Sequence, residues 1–191
     1  MMKDNKIVKL TLFLIIVCGV SSLLIAYIND VTLPVITQQK EAAIKSGYSE
    51  VFPEATEYVE AEYVGDNNTI TSLVLAKKQG QDAGVIYTVA PGGYNGAVET
   101  LVAFDITSKK ITGIKILAQA ETAGLGANCS QPWFAARFAD KPAEQELVVV
   151  KTEPAADQEI QAITAATITS TAVTDGINVA RADFMSNYAS N

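Results

Sequence analysis

Ile163-Thr164-Ala165-Ala166-Thr167-Ile168-Thr169-Ser170-Thr171 sets five hydroxyls where a strand or loop gives way to the last helix. Downstream, Val173, Ile177, Ala180 and Phe184 recur at helical spacing, which predicts a helix from Ile168 to about Tyr188 with one apolar face. A helix start leaves its first backbone N–H groups without partners, and hydroxyl donors beside them make a ready phosphate site. Small Ala165 and Ala166 let a ligand approach the backbone. Ser and Thr also gather at helix starts merely as caps, and taken alone capping is the simpler account of these residues.

Upstream of this segment the pattern turns to strands. Residues 57–64, 69–76 and 84–90 are each rich in Val, Ile, Tyr or Thr and are divided by Gly, Asn, Asp and Gln, which predicts an antiparallel meander. The turn Pro91-Gly92-Gly93-Tyr94-Asn95-Gly96 leads into 97–106, and a short polar stretch separates that strand from 111–118, a hairpin by spacing and composition. A long loop, 119–131, holds Gly124, Gly126 and Cys129. Residues 133–138 read as a short helix carrying Trp133, Phe134 and Phe138 inward, and 147–150 as a buried strand. Pro34 is placed to open a helix that runs to Gly47. The fold class is therefore α+β, antiparallel strands flanked by helices.

Ahead of this domain, residues 10–28 form a run of nineteen without a charge (LTLFLIIVCGVSSLLIAYI), enough at about 1.5 Å per residue to span a hydrocarbon core of roughly 30 Å. It reads as a transmembrane helix. Lys3, Lys6 and Lys9 precede it and Asn29 and Asp30 follow, so the positive-inside rule puts the N-terminus in the cytoplasm and the rest outside the cell membrane. The expected division is an anchor over 1–29 and an extracytoplasmic domain over 30–191. A cleaved signal peptide needs a shorter apolar core, and the faint lipobox at Ile15-Ile16-Val17-Cys18 has a large residue before its cysteine. Gly19, Ser21 and Ser22 fit either a packing strip for a neighbouring helix or incidental small residues in lipid.

Composition narrows the chemistry. The 191 residues leave room for one domain of about 100–150 residues besides the anchor. The net charge is −7, and the first nine residues hold +2 of it, so the body carries −9 and is a poor partner for nucleic acid. There is no histidine, which excludes a Ser-His-Asp triad, a His-ligated zinc and a c-type haem site. With only Cys18 and Cys129 as thiols, the chain cannot hold an iron–sulfur cluster alone. Redox chemistry here needs an organic cofactor.

Asp157 followed by Ile163-Thr164-Ala165-Ala166-Thr167 resembles the Asp…Ser/Thr-Gly-Ala-Thr flavinylation motif of the FMN-binding domain family. Ala120-Glu121-Thr122-Ala123-Gly124-Leu125-Gly126 is similar to that family's Glu-Thr-Pro-Gly-Leu-Gly loop, with Ala123 for Pro. Gly92-Gly93-Tyr94-Asn95-Gly96 is similar to its Gly-Tyr-x-Gly turn. The motifs follow the family's order and, with the anchor, span nearly the whole chain. Ala165 departs from the usual Gly, and its methyl is tolerable where the local φ is negative.

The family includes the G subunit of the Rnf electron-transport complex and the C subunit of the sodium-pumping NADH:quinone reductase; the short length and single anchor favour the former. The resemblance implies one FMN, bonded covalently through a phosphoester to Thr167 by a flavin transferase. Around it the implied cofactor site comprises Thr164, Ala165, Ala166, Ile168, Thr169, Ser170, Glu121, Thr122, Gly124, Leu125 and Tyr94. Leu125 would pack on the ring and Thr122 bond its polar edge. Without the resemblance, Gly124 and Gly126 merely shape a loop, Tyr94 is core and Glu121 is a solvated charge. Implied partners are the other Rnf proteins: the A and E subunits with an iron–sulfur centre as donor, the D subunit with its own flavin as acceptor, and the C subunit. By the same resemblance the complex would couple ferredoxin oxidation and NAD reduction to sodium or proton movement, and this protein would be a carrier without substrate chemistry. Two rival readings are a stand-alone flavin reductase, using Arg137, Tyr94 or a carboxylate as proton donor, and a non-catalytic membrane scaffold.

Overall fold

A computed structural model describes residues 4–65 and 67–189, the side chains of residues 4 and 5 apart. Lys3, one of the three lysines ahead of the apolar run, lies outside the described residues. The chain divides into two compact units, Met1–Ala42 and Ala43–Asn191.

Helix α1 (Asp4–Val51) is continuous over 48 residues and contains Pro34 in its interior. Pro34 was expected to open a separate helix, and the structure corrects this. Proline removes one amide donor, here the one that would reach the Asp30 carbonyl. The helix continues on both sides, with the Thr32 and Thr37 hydroxyls bonded back to the Ile28 and Leu33 carbonyls at 2.6 and 3.0 Å. The helix is long and apolar enough to cross a membrane, and its large apolar side chains from Ile7 to Ile36 are exposed within the chain. Such a stripe-free apolar surface suits lipid.

The second unit is built on a five-stranded antiparallel sheet in the order β1 (Glu57–Ala61), β2 (Ile70–Lys78), β3 (Gln81–Val89), β4 (Glu99–Asp105), β5 (Lys110–Ala118). This is the expected meander, with ends shifted by up to three residues. Both faces are covered. Tyr48, Val51 and Phe52, at and just past the end of α1, pack on Val74, Ala76, Ile86, Leu101 and Ala103. Helix α3 (Thr167–Asn187) covers the opposite face, where Val173, Ile177, Ala180 and Phe184 are fully buried beside Val85, Tyr87, Val102 and Phe104. Alternate residues of one strand thus enter different cores, which is why β3 and β4 read as near-continuous apolar runs.

Within the α3 core, Phe184 stacks on Phe104 with centroids 4.9 Å apart, and Tyr87 meets Phe104 edge-on. The buried Tyr87 hydroxyl donates to Asp183 Oδ2 at 2.7 Å. Burial and this carboxylate push the phenol far above its ordinary range.

Helix α2 (Pro132–Ala135) is shorter than expected. Phe134 and Phe138 point inward, whereas Trp133 remains exposed, covered in part by the Arg137 guanidinium 4.8 Å from its ring centre. Residues 147–150 were expected as a buried strand. Only Leu147 is buried; Val148 is exposed, and Val149 and Val150 are partly covered. Strand β6 (Val148–Val150) instead pairs in parallel with β7 (Glu159–Gln161), three residues too few to show a period in sequence. Asn178 of α3 secures this edge, exchanging hydrogen bonds at 2.9 Å with the Leu147 N–H and C=O.

Replacing Phe184 by Ala removes the ring that joins α3 to β4, and the expected loss is about 3–5 kcal/mol. Denaturant unfolding of the detergent-solubilised full chain measures it; a loss below about 1 kcal/mol would show that α3 is held mainly elsewhere.

Candidate functional site

Three segments far apart in sequence converge at the N-terminus of α3. The first is the turn after β3, closed by the Gly93 N–H donating to the Gly96 carbonyl at 2.7 Å. The second is the loop after β5, which includes one 3₁₀ turn, Gly126–Ser130. The third runs from β7 through Ala166 into α3.

Glu121 binds all three. The residue is only 8% exposed. Oε1 accepts the Asn95 N–H at 2.9 Å and Oε2 accepts the Thr169 hydroxyl at 2.6 Å. Burial works against the charge, but hydrogen bonds from the Asn95 N–H, the Thr169 hydroxyl and the Tyr94 N–H outweigh it and hold the carboxyl below its ordinary value. The solvated charge that sequence alone suggests is therefore a buried anion. Its glycine neighbours follow from this: a Cβ on Gly93 would lie 2.7 Å from Oε1, and one on Gly126 would lie 2.6 Å from Oε2. The segments close on the carboxylate only because both positions lack a side chain.

Between the segments lies an open cavity of about 530 Å³, lined by Tyr94, Glu121, Thr122, Leu125, Gly126, Ala165, Ala166, Thr167, Ile168 and Thr169. Nine of the twelve residues singled out from the sequence are in this wall. Gly124 is not, and its φ of +78° marks it as the loop's turning point. Ser170 is buried behind the wall, and Thr164 faces a neighbouring groove. Gly126 is a wall residue to which the sequence assigns only a loop-shaping part. Tyr94 is 70% exposed, so it is not core.

The five hydroxyls have different fates. Thr169 is spent on Glu121. Ser170 Oγ accepts the Ile163 N–H at 2.9 Å and donates to the Ala166 carbonyl at 3.0 Å. Neither caps the helix: the residue before it is Ala166, and no side chain bonds to the first-turn amides. The simple capping account therefore fails. Among the described residues, the Thr164, Thr167 and Thr171 hydroxyls have no hydrogen-bond partner, and of these only Thr167 lines the cavity. Cys129 is buried in the core, and burial pushes its thiol up, away from the reactive thiolate.

The size suits a small-molecule ligand, whose sites span roughly 300–1,000 Å³. The chemistry suits FMN: Leu125, Ile168 and the two alanines offer an apolar wall for a ring, Thr122 offers a polar group, and Thr167 with the open helix end offers a phosphate position. Ala165 corrects the sequence expectation. Its φ is +61°, in the left-handed region, so the family's glycine is the unstrained residue here.

Replacing Ala165 by Gly is expected to raise stability by about 1 kcal/mol, read as a higher thermal midpoint; a lower midpoint would place the strain elsewhere. Glu121 ionises more readily folded than unfolded. Its contribution is thus complete above the unfolded value of about 4.5 and is lost as pH falls through the lower folded value. Glu121→Gln is expected to cost about 1–3 kcal/mol near neutral pH, with the gap to wild type closing in acid. Urea unfolding across that range tests it, and a gap independent of pH would contradict it.

Residues 93–182 match the model of the FMN-binding domain family. The chain is 37% identical to the G subunit of the Na(+)-translocating ferredoxin:NAD(+) oxidoreductase complex of Acetobacterium woodii, covering 92% of this chain and 91% of that protein. It is 35% identical to the G subunit of the proton-translocating ferredoxin:NAD(+) oxidoreductase complex of Clostridium ljungdahlii, covering 93% and 91%. Its fold is similar to that of the C subunit of the Na(+)-translocating NADH-quinone reductase from Parabacteroides distasonis, with a TM-score of 0.58, 21% identity and coverage of 78% and 84%. With its three convergent motifs around one cavity, the chain belongs to the FMN-binding domain family, alongside the G subunits of ion-translocating ferredoxin:NAD(+) oxidoreductase complexes.

Proposed function

We propose that this protein is the electron-transfer component of a membrane-bound, Rnf-type ion-translocating ferredoxin:NAD oxidoreductase, and that it carries one FMN bonded through a phosphoester to Thr167. The observation that carries the attachment is the hydroxyl accounting. Of the five candidates, Thr167 alone combines an unengaged hydroxyl with a place in the cavity wall. Thr169 and Ser170 are buried and hydrogen-bonded, so modification there would break the clamp on Glu121 or the entrance to α3.

FMN, when bound, accepts two electrons and releases them singly, which suits a relay between one-electron and two-electron carriers. The protein's own part is to hold and orient it. Leu125 and Ile168 cover apolar surface, and Thr122 presents a polar group to the ring edge. Glu121 keeps the segments in register. The titratable groups in the wall are Tyr94 and Glu121, and both carboxylate oxygens of Glu121 are engaged. A stand-alone reductase needs a free proton donor beside the flavin, and in this wall Tyr94 alone would have to serve.

The anchor over 1–29 places the domain over 30–191 outside the cytoplasm in this reading. A covalent link there keeps the cofactor from escaping where no pool replaces it. The family likeness extends the scheme to a flavin transferase for attachment, the A and E subunits as iron–sulfur donor, the flavin-bearing D subunit as acceptor, and the C subunit. The two similar relatives are named for different ions, sodium and protons, so the likeness does not select the coupling ion.

Protein made with the transferase present is expected to show the FMN mass on the tryptic peptide containing Thr167 after denaturation. Thr167→Ala is expected to abolish it, while Thr164→Ala retains it. Unmodified wild-type protein would refute the attachment, and purification without polytopic partner subunits from native membranes would refute the assignment to a complex.

A further inference from the structure

A second groove, of about 620 Å³, meets the first cavity at Ala165 and Thr167, which line both. Its character is different. Arg137 and Lys151 stand in its wall with Gln161 and Thr164, and no carboxylate lines it. In a chain with 21 acidic and 14 basic residues, a groove with two cations and no acid is a local reversal of sign.

Arg137 is held in place rather than loose. Its guanidinium lies over the Trp133 ring and near Phe134, and one of its terminal nitrogens donates to the Gln161 carbonyl. Burial among these groups lowers its proton affinity from the ordinary value, yet a guanidinium stays charged at physiological pH. A guanidinium fixed by an aromatic plane and a single carbonyl keeps further N–H donors for an anion. Lys151 is exposed and has no ion pair among the described residues, so its ammonium is free to turn toward the groove.

We infer that Arg137 and Lys151 form the phosphate subsite of the flavin, on the opposite side of Thr167 from the apolar cavity. This rests on the FMN reading above. A phosphate joined to Thr167 keeps a negative charge and two non-bridging oxygens, and those need cationic or N–H donors once they leave water. The apolar cavity offers none with a positive charge; the groove supplies both cations within the wall that Thr167 shares. The two compartments thus divide one ligand by polarity, ring on one side and phosphate on the other. Arg137 and Lys151 carry no sequence motif, and only folding brings residues from after α2 and after β6 to the same groove.

The test compares two probes that share a ring and differ in the phosphate. Full-length protein from a host without flavin transferase, in detergent, is titrated with FMN and with riboflavin. Wild type is expected to bind FMN about tenfold or more tightly than riboflavin, with an advantage that shrinks as ionic strength rises. Arg137→Gln is expected to reduce that advantage about tenfold and Lys151→Gln about threefold, with riboflavin affinity unchanged. If Arg137→Gln also loses riboflavin through misfolding, the exposed Lys151→Gln decides alone. Equal affinities for the two probes in wild type, failure of wild type to bind either, or an FMN-to-riboflavin ratio untouched by the variants overturns the inference. Flavin mass at Thr167 is read separately in protein made with the transferase. Its absence would remove the covalent link and leave the ratio standing, whereas an unaltered ratio would remove the subsite and leave the link standing.

Discussion

A single buried carboxylate holds the site together. Glu121 accepts donors from the turn at Tyr94 and Asn95 and from Thr169 in the first turn of α3, so three segments separated by many residues share one anion. Taking a charge out of water is costly, and it persists here because each oxygen is satisfied. The same constraint reaches its neighbours. Gly93 and Gly126 must lack side chains because the carboxylate occupies that space. The hydroxyl of Thr169 is consumed, whereas that of Thr167, two residues earlier, has no hydrogen-bond partner among the described residues.

The rest of the domain delivers those segments to the right place. The sheet is sandwiched between the end of α1 and the length of α3, and Val173, Ile177, Ala180 and Phe184 lock α3 against it. The helix whose N-terminus carries Thr167 is held near its other end by the stacking of Phe184 on Phe104. Parallel pairing of β6 with β7, secured by Asn178, feeds the chain into that N-terminus from a fixed direction. Ala165 shows the tension in this route: the turn demands a left-handed backbone, and an alanine adopts it.

Strands with strong β-branched runs and turns marked by Gly, Asn and Asp were readable because their signals are local. The apolar face of α3 was readable for the same reason, and all four of its named residues are buried. Pro34 misled, because a proline can be absorbed by a helix that continues on both sides. Trp133 misled as well, since the choice between core and surface for one ring depends on a neighbour, Arg137, four residues later. β7 was invisible, its three residues acquiring a strand conformation only from the partner they meet.

The three motifs point to a cofactor site only through their resemblance to the FMN-binding domain family; by itself the chain's order of residues determined the apolar span, the α+β class and the absence of histidine chemistry. These depend on composition and on spacings within one element, where helix and strand periods act directly. Tertiary structure alone decided that Glu121 is a bonded anion rather than a solvated one, that Thr167 keeps its hydroxyl while Thr169 and Ser170 lose theirs, and that Arg137 and Lys151 share a groove. Each of those facts is a contact between residues distant along the chain, and burial, desolvation and hydrogen-bond pairing exist only once the chain has closed around them.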